Sequence, residues 1–397
     1  MSHLGYMEKL LDGVEVEWKP LGELGELVRG NGLPKKDFTE SGVPAIHYGQ
    51  IYTYYGLSTT ETKSFVSLET AKKLKKVDTG DVVITNTSEN LEDVGKALVY
   101  LGKEQAVTGG HATIFKPSKD ILGKYFAYFT QSIIFSNEKR RYSKGTKVID
   151  VSATDMSKIN IPIPPLNVQD EIVRILDTFT ELTAELTAEL TARQQQYAYY
   201  RDQLLTFGER DVEWMPLGDI AENLDSKRKP ITSSLREPGD IPYYGASGIV
   251  DYVKDYIFDG DYLLVSEDGA NLIARNTPIA FSISGKNWVN NHAHVLKFET
   301  YAERKYVEYY LNSIDLTPYI SGAAQPKLNQ KNLNSIKIPN PSLEEKKRIV
   351  SILDKFDALT TSLTEGLPRE IELRQQQYEY YRDLLLSFPK TEVVAHD

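Results

Sequence analysis

Lysines and arginines occur near tyrosine, asparagine, glutamine and histidine in two parts of the sequence, and this combination can bind nucleic acid. Lysine and arginine hold phosphates, whereas the neutral polar side chains can hydrogen-bond base edges. The composition therefore permits DNA binding in both parts. The candidate residues are Lys35, Lys36, Gln50, Tyr52, His111, Lys139, Arg140, Lys144, Lys147, Lys227, Arg228, Lys229, Tyr243, Tyr244, Asn290, His292 and Lys327.

These residues also have a simpler explanation. Each basic cluster, taken alone, is more often a solvated surface than a phosphate site. The 25 tyrosines could equally serve a protein interface. A net charge of −10 argues against a protein that coats nucleic acid indiscriminately, although an acidic domain can still bind DNA through a local basic face.

Motifs for catalysis are missing from the sequence. There is no GxxxxGK[ST] phosphate loop, no GxGxxG, no GxSxG and no cysteine nucleophile. Pro164-Pro165 stands between Ile163 and Leu166, so it is not the polar-Pro-Pro-aromatic loop that holds a flipped adenine in amino-methyltransferases. We predict no catalytic residue and no cofactor bound by this chain.

Metal binding and membrane association are also disfavoured. The histidines form no pair at the helix spacing of zinc ligands, and His292 and His294, two apart as on one face of a strand, favour a structural role over a metal. The lack of cysteine excludes disulfides and thiolate metal sites and fits a reducing cytoplasm. No run approaches the roughly 20 apolar residues of a membrane helix, and no secretory signal is visible. We expect a cytoplasmic protein without a metal site.

Several blocks of the sequence occur twice. The pairs are Val16–Glu23 with Val212–Asp219, Gly109–Ala112 with Asn290–Ala293, Ile159–Pro164 with Ile336–Pro341, and Arg193–Asp202 with Arg374–Asp383. Matches at nearly constant offsets indicate an internal duplication, in the order globular half, helix, globular half, helix. Because the frames are alike and the contents differ, we predict two sites of one kind that recognise different things.

The helical parts centre on a tandem of Thr-Ala-Glu-Leu units at residues 181–192. Its residues favour helix, and the four-residue period places Leu182, Leu186 and Leu190 along one stripe, which we interpret as a spacer. We predict a helix from about Asn167 to Phe207, roughly 60 Å long at 1.5 Å per residue.

A second helix is predicted from about Ser342 to Ser387, but Gly366-Leu367-Pro368 should split it. Two such rods would most simply pack antiparallel as a coiled coil. Tyr6 to Leu11 also resembles Tyr200 to Leu205, which suggests a cyclic, pseudo-two-fold arrangement with an N-terminal helix beside the C-terminal one. An ordinary N-terminal helix is the alternative.

The predicted fold class is α+β, with two mixed α/β domains separated by the two long helices. The predicted strands include Val82–Ile84, Ala97–Tyr100, Tyr262–Val265 and Ile279–Ile283, and the predicted helices include Leu122–Phe135 and Ala302–Ser313. The predicted segments are an N-terminal helix at 1–14, a domain at 15–155, a helix and spacer at 156–210, a domain at 211–333 and a C-terminal helix at 334–397.

Over nearly its whole length the chain resembles the DNA-specificity subunits of type I restriction–modification enzymes. The resemblance rests on the Trp-x-Pro-Leu-Gly opening of each half and on helix starts that read Ile-Val-x-Ile-Leu-Asp. It also rests on the endings Gly145…Ile159-x-Ile161-Pro162 and Gly322…Ile336-x-Ile338-Pro339. The Thr-Ala-Glu-Leu tandem and the Gln-Gln-Gln-Tyr-x-Tyr-Tyr-Arg-Asp block resemble the subgroup whose spacer carries such repeats.

The resemblance implies that each globular half is a target-recognition domain that reads one half of a split sequence in double-stranded DNA. It implies that the antiparallel coiled coil separates these domains and docks two modification subunits, which bind S-adenosylmethionine and methylate adenine. Restriction subunits, which use ATP, would join to cleave DNA. The chain itself would be a non-catalytic specificity subunit, and its partners could supply much of the phosphate binding.

One feature departs from the two-fold pattern. The second helix reads Thr360-Thr361-Ser362-Leu363-Thr364 where the first has its tandem. Two other functions stay open: a structural coiled-coil adaptor that binds only proteins, and a self-contained methyltransferase, which the missing motifs disfavour.

Overall fold

The computed structural model describes residues 10–208, 211–322, 325–362 and 364–389. The chain divides into two units. Unit 1 contains the residues up to Glu185 and those from Ile371 onward, and unit 2 contains Leu186–Glu370. The predicted N-terminal helix, at residues 1–14, lies mostly outside the described residues. The described part begins at Leu10, and Leu10 and Leu11 are helical and pack on the core of unit 1.

Unit 1 is built from short strands and helices followed by the start of a long helix. The strands are β1 (Glu17–Pro20), β2 (Gly25–Arg29), β3 (Phe38–Thr39), β4 (Val43–Ile46), β5 (Ser58–Thr59), β6 (Ser64–Val66), β7 (Lys75–Val77), β8 (Val82–Thr85), β9 (Thr87–Ser88), β10 (Ala97–Tyr100), β11 (Ala106–Thr108), β12 (Ala112–Pro117), β13 (Ile149–Asp150) and β14 (Asn160–Ile163). The helices are α1 (Tyr48–Thr53), α2 (Leu68–Lys73), α3 (Gly123–Phe129), α4 (Ile133–Tyr142), α5 (Ala153–Met156) and α6 (Leu166–Leu205).

Two five-stranded sheets carry the core of unit 1 within the described residues, in the orders β2-β12-β8-β10-β5 and β3-β6-β4-β11-β7. Strand β8 reads Val-Val-Ile-Thr and is buried throughout, as expected for a β-branched strand covered on both faces. Strands β12 and β10 flank it in antiparallel register. This arrangement places the loop that follows β8 beside the turn that precedes β12.

Unit 2 repeats the plan with different lengths. Its strands are β15 (Glu213–Pro216), β16 (Glu222–Asn223), β17 (Pro238–Gly245), β18 (Gly248–Val253), β19 (Phe258–Asp259), β20 (Tyr262–Ser266), β21 (Ala280–Ile283), β22 (Lys286–Val289), β23 (Ala293–Lys297) and β24 (Lys337–Asn340). Its helices are the end of α6, then α7 (Leu217–Ile220), α8 (Asn271–Ala274), α9 (Tyr301–Ser313), α10 (Gln330–Ser335), α11 (Leu343–Thr360) and the start of α12 (Gly366–Leu385). Its sheets run β16-β23-β20-β21 and β18-β17-β22-β19.

A two-stranded ladder joins the first and last strands of each globular half. Strand β1 pairs antiparallel with β14, so that Trp18 lies opposite Pro162. Strand β15 pairs with β24 in the same way, so that Trp214 lies opposite Pro339. The repeated Trp-x-Pro and Ile-x-Ile-Pro blocks are therefore the two paired strands of one ladder in each half. This pairing brings the first and last residues of each half together.

Helix α6 contains the Thr-Ala-Glu-Leu tandem and runs unbroken for 40 residues, so its predicted extent is confirmed to within two residues. Leu182, Leu186 and Leu190 are half-buried along it. Threonine is a poor helix former, but its hydroxyl can bond the carbonyl one turn back. Thr191 donates in this way to the Thr187 carbonyl at 3.0 Å.

Each unit packs α6 against a C-terminal helix. Phe179 stacks on Tyr381 of α12 in unit 1, and Tyr200 stacks on Phe356 of α11 in unit 2. The predicted split of the second rod is confirmed, because α11 ends at Thr360 and α12 begins at Gly366. Pro368 then falls in the first turn of α12, where its missing N–H is tolerated.

The prediction of one helix over Leu122–Phe135 is wrong. Helix α3 ends at Phe129, and α4 begins after Ser132, whose hydroxyl accepts a hydrogen bond from the Phe135 amide. A serine cap starts a new helix because it satisfies an amide that the first turn leaves unpaired. None of the described helices is both long enough and apolar enough to cross a membrane.

Buried tyrosines give the chain a predicted alkaline sensitivity. Tyr125 and Tyr306 are fully buried, and burial raises the pKa of both hydroxyls above the ordinary value of 10.0. Since the unfolded state ionises first, their contribution to stability is complete below pH 10 and is lost as pH rises further. We expect the melting temperature to fall by at least about 5 °C between pH 9 and pH 11. Thermal melts followed by circular dichroism measure this, and an unchanged melting temperature would contradict it.

Candidate nucleic-acid interface

The turn between β11 and β12 in unit 1 presents His111. The Asn86 amide, just after β8, donates to the His111 carbonyl at 2.9 Å, and the His111 Nδ1 lies 2.9 Å from the Thr87 hydroxyl. These two bonds fix the turn against the loop that follows β8. The imidazole is otherwise exposed, so its other nitrogen can reach a ligand.

A group of aromatic rings surrounds His111. Tyr48, the first residue of α1, lies 4.8 Å from the His111 ring and 4.6 Å from the His47 ring, measured between centroids. Tyr48 and His111 line both a hollow of about 190 Å³, which also includes Lys35, and one of about 320 Å³, which also includes Tyr52. The structure therefore brings Lys35, Tyr52 and His111 together, with Lys36 exposed next to Lys35.

His47 is a member of this group that the sequence did not single out. It caps α1, and its Nδ1 accepts a hydrogen bond from the Gly49 amide at 3.2 Å. Burial, followed by the nearby charge of Lys35, lowers the pKa of His47 below its usual value. The neutral ring therefore carries its proton on Nε2. The sequence feature that could have identified His47 is its position directly before Tyr48 at the start of a helix.

A hairpin with two candidate lysines lies beside the same loop. Strand β13 pairs with β9, and Val148 lines the larger hollow. Gly145 has φ +101°, and its counterpart Gly322 has φ +83°, so each half uses glycine where the turn needs a left-handed residue. Lys147 is exposed, whereas Lys144 pairs with Asp155 at 2.7 Å.

Gln50 and Lys139 face the protein interior, so they are removed from the set of DNA-contact candidates. The Gln50 amide donates to the Ser64 hydroxyl at 2.7 Å and ties α1 to β6. Lys139 is 4% exposed, and its amine donates to the carbonyls of Glu92 and Val94. Burial lowers the pKa of Lys139 to about 8. Arg140, the next residue, is exposed.

Unit 2 presents His292 in the same way. The Glu267 amide, just after β20, donates to the His292 carbonyl at 2.9 Å. The His292 Nδ1 lies 2.9 Å from both carboxylate oxygens of Asp268, which replaces the Thr87 of unit 1. The same backbone frame thus holds a histidine beside a neutral hydroxyl in one unit and beside a carboxylate in the other.

Beneath this turn lies a buried ion network. Arg228 contacts the carboxylates of Asp225 at 3.3 Å and Glu267 at 2.6 Å, and Lys327 contacts Glu267 at 3.0 Å. Both nitrogens of the fully buried His294 face acceptors, the Asp225 carboxylate at 2.5 Å and the Leu328 carbonyl at 2.7 Å. Burial opposes ionisation of Asp225, but the hydrogen bond from His294 holds the pKa of that carboxyl below its usual value.

Asp225, Glu267 and His294 also lie close enough to hold a metal ion, with their ligand atoms within 4.8 Å of one another. Arg228 and Lys327 already neutralise the two carboxylates, however, so a divalent ion would add uncompensated charge. We interpret the group as a network that joins the segment after β16 to the loop before α10. Arg228 therefore has a structural role, while Lys327 is half-exposed at the edge of the network.

The remaining candidates of unit 2 divide between interior and surface. Tyr243 is 1% exposed and accepts a hydrogen bond from the Ile231 amide, and the Asn290 side chain, also buried, accepts one from the His292 amide. Both are too buried to read bases. Tyr244 is half-buried against Phe281. The exposed candidates at this end are Lys227, Lys229 and His292.

Arg228 and Lys227 provide a test of this division. Arg228→Met is expected to destabilise unit 2 by about 3–5 kcal/mol, because it leaves Asp225 and Glu267 buried with one cation fewer. Lys227→Met, at the exposed neighbouring position, should change stability by less than about 0.5 kcal/mol. Urea unfolding of the two variants measures the difference. Equal stability of the two variants would show that the network carries no such role.

Comparison with known proteins places this geometry among DNA-specificity proteins. A family model described as "Type I restriction modification DNA specificity domain" matches residues 13–193 and 209–373. The specificity subunit of the type I restriction enzyme EcoR124I/EcoR124II from Escherichia coli is 36% identical to this chain, and the alignment covers 100% of each chain. The EcoprrI specificity subunit from Escherichia coli is 33% identical, covering 92% of this chain and 93% of its own.

Solved structures agree on the fold. The crystal structure of a type I restriction-modification system S subunit from M. genitalium has a TM-score of 0.60 at 15% identity, covering 96% of this chain and 98% of that chain. A chain from a study of complex assembly and conformational transition of the type I R-M system has a TM-score of 0.61, also at 15% identity, covering 95% of this chain and 98% of its own. These likenesses confirm the predicted class of mixed α/β domains combined with long helices.

Proposed function

The chain belongs to the family of type I restriction-modification DNA specificity subunits, and on this premise we propose that each of its two units reads one half of a split DNA target. The observation that carries the proposal is the duplicated histidine turn. Its backbone frame is the same in both units, while its surroundings differ: Thr87, Tyr48 and Tyr52 in unit 1, Asp268 and Lys327 in unit 2.

We assign two roles to the exposed side chains around these turns. Tyr52 and His111 in unit 1 and His292 in unit 2 are suited to hydrogen-bond base edges. The exposed basic residues are suited to phosphates, which positions the protein without reading sequence. These are Lys35, Lys36, Arg140, Lys144, Lys147, Lys227, Lys229 and Lys327.

The duplication and the family support a proposal about the partners of this chain. We propose that the Arg193–Asp202 and Arg374–Asp383 blocks dock two modification subunits, which bind S-adenosylmethionine and methylate adenine. Restriction subunits that use ATP would complete the complex. The tandem would place the chain in the subgroup with Thr-Ala-Glu-Leu spacers, and work on cellular DNA would place it in the cytoplasm. We retain residues 15–155 and 211–333 as the recognition domains.

Reconstitution tests the proposal. The chain, the modification subunits and S-adenosylmethionine are expected to methylate DNA with one split sequence, whereas the chain alone transfers no methyl group. Methylation by the isolated chain would instead indicate a self-contained methyltransferase. Complexes that retain every DNA sequence equally in a gel shift would favour the protein-binding adaptor.

A further inference from the structure

One partly buried hydrogen bond recurs where each recognition region meets its helix. In unit 1 the Tyr128 hydroxyl of α3 donates to the Asp177 carboxylate of α6 at 2.7 Å. In unit 2 the Tyr309 hydroxyl of α9 donates to the Asp354 carboxylate of α11, also at 2.7 Å. Both tyrosines are at most 5% exposed. The two bonds use equivalent residues of the duplicated chain.

The recurrence of this hydrogen bond gives a role to the aspartate that ends each Ile-Val-x-Ile-Leu-Asp block. Asp177 and Asp354 are the last residues of the two Ile-Val-x-Ile-Leu-Asp blocks, whose apolar members, apart from Ile352, pack in the cores. A carboxylate beside a buried core is costly unless it is hydrogen-bonded. Burial, followed by interactions that include the aspartate, raises the pKa of both tyrosines, which keeps each hydroxyl a donor.

The second ligand of each aspartate differs. Lys124 contacts the other Asp177 oxygen at 2.7 Å, whereas Tyr301 donates to the other Asp354 oxygen at 2.9 Å. Each carboxylate is thus held by two donors from one helix of its recognition region. Two bonds to one group define an orientation, which non-directional apolar packing does not.

In unit 1 the hydrogen bonds to Asp177 lie at the edge of a large cleft. A cleft of about 1020 Å³ lies between the sheet region and the helices, and Lys124, Tyr128 and Asp177 are among its lining residues. One apolar cluster also joins the sheet region to α6. The contacts of Asp177 with Tyr128 and Lys124 add directional bonds to this packing at the edge of the cleft.

We propose that Asp177 and Asp354 are positioning residues for DNA recognition: each fixes the orientation of its recognition domain on its helix and so makes the complex strict about the gap between half-sites. The inference rests on the proposed function and concerns gap selectivity, not the identity of the half-sites. Neither aspartate needs to touch DNA.

The test uses the chain with its modification subunits, S-adenosylmethionine and three duplexes. These carry the native gap, or a gap one base pair longer or shorter. Gap selectivity is the ratio of initial methylation rates on the native and altered duplexes. Tyr128→Phe combined with Tyr309→Phe should lower this ratio about tenfold, the usual effect of losing hydrogen bonds to charged groups. The rate on the native duplex should fall less than about threefold.

Tyr100→Phe is the matched control. Tyr100 is also a buried residue, and its hydroxyl donates to the Glu104 carbonyl at 2.6 Å, within the recognition region and away from α6. It should lower stability less than the double variant does, because its acceptor is a neutral carbonyl, and should leave gap selectivity unchanged. A merely structural role for Tyr128 and Tyr309 would leave gap selectivity unchanged in all of these variants.

A second pair of variants keeps the test valid if the buried tyrosine variants fold poorly. Lys124→Met and Tyr301→Phe each remove the second donor, and Tyr301 is 54% exposed, so little packing is lost. Together they should lower gap selectivity about threefold. Unchanged selectivity in every folded variant would overturn the proposal while leaving the proposed function intact. A wild-type complex without half-site selectivity would overturn both.

Discussion

Inserting one further Glu-Leu-Thr-Ala unit after Ala192 is expected to shift methylation to a target whose gap is one or two base pairs longer. Helix α6 contains the tandem without a break, so four residues add about 6 Å along its axis. One base pair occupies about 3.4 Å of the DNA axis. The native target should lose at least about 100-fold in rate, because one half-site then falls out of register and each mismatched pair costs about 1–3 kcal/mol.

Methylation rates on duplexes with gaps from two base pairs shorter to three longer than native would measure this shift. Thr191→Ala is the control for composition, because it removes the hydroxyl bond to the Thr187 carbonyl but keeps the length of the helix. It should leave the preferred gap unchanged. An insertion variant that still prefers the native gap would show that α6 does not set the distance.

Replacing residues 15–155 with the equivalent region of a relative that has another target should change one half-site and preserve the other half-site and the gap. The described sheets of unit 1 lie almost entirely within this region. Its incoming β1 must pair with the resident β14, which the shared Trp-x-Pro and Ile-x-Ile-Pro frames allow. Methylation of the original target should fall at least about 100-fold.

The reciprocal exchange of residues 211–333 is the control and should alter only the other half-site. Sequencing the methylated positions in random-sequence DNA identifies the half-sites and the gap that each exchange variant recognises. A single exchange that altered both half-sites, or neither, would show that the halves do not read independently.

The long helices were accessible from sequence because their determinants are local. The tandem has no helix breaker, and Gly366 and Pro368 mark the start of α12. The break between α3 and α4 was missed because Ser132 resembles any surface serine until its hydroxyl is seen to cap a helix. The strand pairing behind the Trp-x-Pro blocks joins residues too distant in sequence for a local pattern to reveal.

The candidate site was only partly accessible, since charge is visible in sequence and burial is not. Lys139 and Arg228 looked as suitable for phosphates as Lys35 or Lys227. The fold commits Lys139 to main-chain carbonyls and Arg228 to two carboxylates. The duplicated histidine turn was visible as a repeat, but the different neighbours of its two copies depend on loops brought together by the sheets.

We propose that this chain directs a modification complex to a two-part DNA sequence. Mapping methylated adenines across the genome of cells that carry the modification subunits, with and without this chain, tests it most directly. We expect one methylated motif of two short half-sites with a fixed gap, and we expect it to disappear when the chain is removed. Methylation that is unchanged without the chain, or that follows one uninterrupted motif, would contradict it.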